Sequence, residues 1–120
     1  MCIVDDDASV RKSLSNLLRS AGYEAYPFAD GEAFLASELA CEADCALLDL
    51  KMPGRNGVEV QRELARLGYR LPVICMSAHW DPAAEGESLG LGAVACLGKP
   101  FNEEALLRFV LKAVASRGGS

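Results

Sequence analysis

Three short fragments carry groups able to do chemistry together: the acidic triplet Asp5-Asp6-Asp7 after Cys2-Ile3-Val4, the aspartate closing Ala46-Leu47-Leu48-Asp49, and Lys99-Pro100-Phe101. Each charged group stands where an apolar run stops. In an open parallel α/β sheet the strand ends meet on one edge, so residues distant in sequence can share a cleft there. Asp5, Asp6 and Asp49 on neighbouring strand ends would repel one another, and a divalent cation relieves that repulsion. Only oxygen ligands are on offer, which selects Mg²⁺, with Mn²⁺ as the alternative, over zinc or copper. An aspartate beside such a cation is a competent nucleophile toward a phosphoryl group. Ser77 adds a hydroxyl, Ala78 a backbone N–H beside a side chain too small to block entry, and Lys99 a compact cation. Taken singly these residues have plainer readings, the triplet as a helix cap and Asp49 as a strand-end acid. Their company favours a site.

The elements needed to position them are legible. Apolar runs alternate with helical patterns, as βαβ units require. Strands are expected near 1–5, 24–28, 45–49, 72–77 and 93–97. A first helix over 8–21 carries Val10, Leu14, Leu17 and Leu18 on one face, starts from Asp7 and stops at Gly22. A second, 31–40, starts from Asp30, and a third, 57–67, follows Asn56. The connection from His79 to Gly92 is the poorest helix candidate, because Gly86, Gly90 and Gly92 each cost about 1 kcal/mol relative to alanine. A last helix opens at Asn102 with Glu103 and Glu104 in its positive first turn and runs to Arg117. Residues 1–117 read as one domain, and Gly118-Gly119-Ser120 as a linker stub or chain end.

Composition narrows the function. With 120 residues and 51% apolar content, the chain suffices for one domain with a core. A net charge of −5 argues against this segment wrapping nucleic acid. There is no secretion signal and no apolar run near the roughly 20 residues that span a bilayer, so a cytoplasmic location without membrane contact is expected. Five cysteines, Cys2, Cys41, Cys45, Cys75 and Cys96, lie mostly in apolar runs without a C-x-x-C pair and read as free thiols.

The set V-D-D-D, L-D-L-K-M-P-G-x-x-G, M-S-A and G-K-P-F resembles the receiver domain of two-component response regulators over essentially the whole chain, most like the FixJ/NarL type. The resemblance implies a flavodoxin-like fold, a five-stranded parallel sheet of order 2-1-3-4-5. It implies Asp49 as phosphoacceptor, Asp6 as a direct Mg²⁺ ligand, Asp5 as a ligand largely through water, and Lys51 as donor of its backbone carbonyl to the metal. Ser77 matches the switch hydroxyl, Lys99 the family lysine, and Lys99-Pro100 a cis peptide. The implied partners are a histidine kinase or phosphotransfer protein, a C-terminal output domain, often DNA-binding, and a second copy on phosphorylation. The domain would be a switch rather than an enzyme, signalling through the face made by the fourth connection, fifth strand and last helix.

One position departs from the family. Where receivers usually place an inward-rotating Tyr or Phe, this chain has Cys96, so coupling from Ser77 would use other side chains such as Leu97 or Trp80. Lys51 and His79 are expected to lie over the phosphorylation site and tune loss of phosphate, Trp80 to cover the fourth helix, and Arg11 and Lys12 to be exposed, facing solvent or a kinase. Two alternatives are a phosphate-independent docking module and a haloacid-dehalogenase-like phosphohydrolase. The second wants an acid two residues after its nucleophile, where Lys51 stands here.

Overall fold

Cys2–Val4 (β1), Tyr26–Phe28 (β2), Ala46–Asp49 (β3), Val73–Ser77 (β4) and Ala95–Gly98 (β5) form one parallel sheet of order β2-β1-β3-β4-β5. The computed structural model describes residues 1–118 apart from Trp80, and only the backbone of Cys41 and of residues 116–118. The expected role of Trp80 lies outside the described residues. So do residues 119–120 of the expected stub, while Gly118 belongs to the last helix, Glu103–Gly118.

The strands are apolar on both faces because helices cover both. Ile3, Leu47, Ile74 and Met76 pack with Leu14 and Leu18 of Ala8–Ser20 (α1) and with Leu106 and Val110 of Glu103–Gly118 (α6). Val4, Leu48 and Val73 meet Phe34 of Gly31–Leu35 (α2) and Val60 and Leu64 of Gly57–Arg66 (α4) on the other side. Alternation along each strand sorts the side chains between these two cores.

The caps are those the sequence signals. Asp7 accepts from the Ser9 N–H at 2.8 Å and Asp30 from the Ala33 N–H at 2.8 Å. Asn56 and Glu59 form a reciprocal capping box at 3.0 and 3.1 Å, and Asn102 accepts from Ala105 N–H at 3.0 Å. Such caps each add about 1 kcal/mol.

The expected helix over 31–40 is broken into α2 and Leu39–Glu42 (α3). Between them the Ser37 hydroxyl accepts from the Leu39 N–H at 3.1 Å, offering the backbone an alternative to continuous helix. The glycine-rich fourth connection does form a helix, Pro82–Gly90 (α5), started by Pro82 and by Asp81, which accepts from Ala84 N–H at 3.1 Å. Its only buried residue is Ser88, whose hydroxyl donates to the Gln61 side chain while Gln61 Nε2 donates back to the Ser88 carbonyl at 3.2 Å. A polar pair, together with a small apolar patch at Ala84, therefore seats α5 beside α4.

The free-thiol reading of the cysteines needs correction. Cys2 and Cys45 are free and buried, but Cys75 and Cys96 are disulfide-bonded across β4 and β5. They are direct register partners, with Cα atoms 4.6 Å apart, a juxtaposition that a separation of 21 residues does not reveal.

Candidate functional site

Strand order reverses between β1 and β3, and the crevice outside the carboxyl ends of strands at such a point is where open α/β sheets bind ligands. Val4 pairs with Leu48, so the next residues, Asp5 and Asp49, emerge side by side there. One carboxylate oxygen from each of Asp5, Asp6 and Asp49 falls within 4.8 Å of the others. Asp5 and Asp49 are buried and Asp6 is exposed. An all-oxygen set, open on one side, suits a hard divalent cation that keeps several waters.

Lys99 completes the cluster from the other flank. Its backbone N–H donates to the Ser77 carbonyl at 2.7 Å, which fixes the β5 end against the β4 end. Nζ then lies 2.6 Å from Asp5 Oδ2 and 3.3 Å from Asp49 Oδ2. The peptide bond Lys99-Pro100 is cis, as the resemblance implies.

Burial is the largest single influence on both Asp49 and Lys99, and it prevails only at Asp49. Desolvation pushes the Asp49 carboxyl above its ordinary range and the Asp5 charge adds to this, against the opposing Lys51 N–H and Lys99 ammonium. Ionised Asp49 therefore costs stability at neutral pH, and that cost falls as pH drops through the raised folded value. Desolvation would lower Lys99, but its hydrogen bond to Asp5 and the Asp49 and Asp5 charges outweigh it, and the net shift is upward.

Several contacts were not visible in the sequence. Arg11, expected to be exposed, is partly buried, and its Nη1 donates to the Asp5 carbonyl at 2.7 Å, steadying the acidic loop. Asp5 Oδ1 also accepts the Asp7 N–H at 2.9 Å, and Asp49 Oδ1 accepts the Lys51 N–H at 3.1 Å. The Lys51 side chain points to the N-terminus of α5, where Nζ meets Asp81 Oδ2 at 2.9 Å. Only the acidic residue four positions beyond Ser77 could have hinted at that pair. The Ser77 hydroxyl donates to the His79 carbonyl, with the His79 N–H returning at 3.2 Å, so the hydroxyl is engaged within its own turn. Ala78 and His79 are exposed in the turn that follows β4. Lys12 is exposed as expected. Cys96 lies beneath α5, its Sγ 3.8 Å from the Glu85 carbonyl.

These features define a doubly wound α/β domain with an acidic, lysine-flanked pocket at its switch point. The chain belongs to the response regulator receiver domain family, whose model matches residues 1–111. It is 39% identical over 111 residues to nodulation protein W of Bradyrhizobium diazoefficiens, covering 92% of this chain and 49% of that protein. With the response regulator TmoT of Ectopseudomonas mendocina it shares 43% over 107 residues, 88% of this chain and 48% of that one. The solved response regulator StyR superposes with a TM-score of 0.92 at 36% identity, over 98% of this chain and 60% of that one. The FixJ N-terminal domain superposes at 0.85 and 34%, over 94% and 90%. The chain spans about half the length of these curated relatives. It is a receiver module of response regulators, a family of signalling switches. The haloacid-dehalogenase alternative falls away with that membership.

Proposed function

We propose that Asp49 accepts a phosphoryl group from a histidine kinase or phosphotransfer protein and that the domain is the phosphorylation-controlled switch of a transcriptional regulator. The observation that carries this is the convergence on one buried carboxylate, Asp49, of two further acids and a lysine ammonium. Asp5, Asp6 and Asp49, with the Lys51 backbone carbonyl, would hold Mg²⁺ or Mn²⁺, which when bound neutralises phosphoryl oxygens and acids together. Lys99 shifts from sharing Asp5 and Asp49 to pairing the phosphoryl group, and Ala78 offers its N–H. Ser77 must leave the His79 carbonyl to reach the same group. That exchange links phosphate to the turn before α5 and hence to the surface of α5, β5 and α6.

The unit is read as residues 1–117 of a longer cytoplasmic regulator whose output domain follows, with a phosphorylation-dependent homodimer and no nucleic-acid contact by this segment. Among the described residues no helix is long and apolar enough to cross a membrane. Intact-mass spectrometry after acetyl phosphate and Mg²⁺ tests the central reading; no acid-labile mass gain would refute it.

Mg²⁺ should stabilise the unphosphorylated domain by relieving repulsion among the acids, by about 1.4 kcal/mol at ten times Kd. Thermal melts in Mg²⁺ against chelator check this. An equal rise in Asp6→Ala would remove Asp6 from the metal site.

Loss of phosphate should be slow. The residues expected over the site are Lys51 and His79, neither suited to orienting an attacking water, and Lys51 is held by Asp81. Half-lives of phosphorylated Lys51→Asn and His79→Ala should each differ from wild type by a few-fold. Three indistinguishable values would show that neither side chain governs hydrolysis.

A further inference from the structure

We propose that Cys75 and Cys96 are a redox-modification site, a thiol pair that a peroxide oxidises to a disulfide, and that this bond slows phosphoryl uptake at Asp49. The pair stands on register: Cys75 and Cys96 face each other on β4 and β5 with Cα atoms 4.6 Å apart, inside the range a disulfide spans without backbone movement, and they are bonded in the structure.

The two sulfurs are unequal. Cys96 is partly exposed beneath α5, next to the Glu85 carbonyl, whereas Cys75 is wholly buried with Leu50 and Val58. Cys96 is therefore the reachable, attacking thiol and Cys75 the resolving one. Cys2 and Cys45 are wholly buried and unbonded, and burial pushes their thiols up to about 11 and about 12, which leaves little thiolate.

The chemistry closes with hydrogen peroxide as oxidant. The Cys96 thiolate attacks one peroxide oxygen; an S–O bond forms, the O–O bond breaks, and the released hydroxide takes a proton to become water. Cys75 sulfur then attacks Cys96 sulfur, forming S–S as S–O breaks, and the departing oxygen leaves as a second water carrying the Cys75 proton. The thiols lose two electrons and the peroxide gains them. A dithiol reverses the change.

Position gives the bond its consequence. Cys75 lies two residues before Ser77 and Cys96 three before Lys99, on strands whose ends are already joined through the Lys99 N–H and Ser77 carbonyl. A covalent link there removes relative movement of β4 and β5 just where Ser77 and Lys99 must rearrange around a phosphoryl group. That second half rests on the phosphoacceptor reading; the thiol chemistry does not.

The experiment treats the reduced chain with hydrogen peroxide, alkylates with N-ethylmaleimide, and maps peptides by mass. Wild type should lose two hydrogens, yield a linked Cys75–Cys96 peptide pair, and recover both thiols with dithiothreitol. Full alkylation of both cysteines after peroxide would overturn the site, as would the same loss in Cys96→Ser, which would place it among Cys2, Cys41 and Cys45. Asp49→Asn should oxidise like wild type, so the redox site and the phosphoacceptor fail separately. Oxidised wild type should take phosphate from acetyl phosphate about threefold more slowly than reduced protein. Peroxide should not slow Cys96→Ser. Equal rates for the two wild-type forms would overturn the regulatory half.

Discussion

Asp49→Asn is expected to abolish the acid-labile phosphoryl gain that wild type shows with acetyl phosphate and Mg²⁺. The three acids are not equivalent acceptors. Asp5 has one oxygen on the Asp7 N–H and the other 2.6 Å from Lys99, and it is wholly buried. Asp6 is exposed and neither of its oxygens forms an ion pair with Lys99. Asp49 has one oxygen fixed by the Lys51 N–H and the other 3.3 Å from Lys99. Its carboxylate is therefore oriented, desolvated and backed by a cation, which is what a phosphoryl acceptor requires. An amide in its place keeps the shape but has no nucleophilic oxygen. Intact-mass spectrometry with and without acid treatment reads the result, and an undiminished gain in the mutant would move the acceptor elsewhere.

Gly57→Ala is expected to cost about 3 kcal/mol, against the sign that helix propensity gives. Gly57 opens α4, and alanine is the better helix former by up to about 1 kcal/mol. A Cβ there, however, would lie 2.6 Å from the Asp49 carbonyl oxygen and 3.1 Å from Leu50 Cα. Both are backbone atoms at the end of β3, so relief requires moving α4 away from the acceptor strand. Gly54 is the control: its φ of +75° strains any other residue, but a Cβ there meets nothing within 4 Å. Gly54→Ala should cost about 1 kcal/mol, the price of the left-handed conformation alone. Urea unfolding of both variants with wild type measures the difference. A loss for Gly57→Ala no larger than that for Gly54→Ala would show that α4 shifts freely.

The two costs differ in physical kind, one local to a turn and the other set by docking. G-x-x-G after Asp49 marks a turn, and a turn glycine with positive φ is a local property of four residues. The approach of Gly57 to the Asp49 carbonyl is set by how α4 docks, which no local pattern encodes.

The same division runs through the whole molecule. The sequence by itself determined the five strands, most helix boundaries, the caps at Asp7, Asp30, Asn56 and Asn102, and the meeting of Asp5, Asp6, Asp49 and Lys99. Those features follow from period, capping chemistry and the rule that parallel strands end together. Helix breakage at Ser37 was not legible, because a hydroxyl that caps a turn also sits acceptably in a continuing helix. Tertiary structure alone decided that Arg11 holds the Asp5 carbonyl, Lys51 reaches Asp81, Ser77 engages the His79 carbonyl, and Cys75 faces Cys96. Two of these, Lys51 with Asp81 and Cys75 with Cys96, depend on helix docking or strand register between residues 30 and 21 positions apart, and in a two-residue repeat a slip of one position would have turned each strand's side chains to the opposite face.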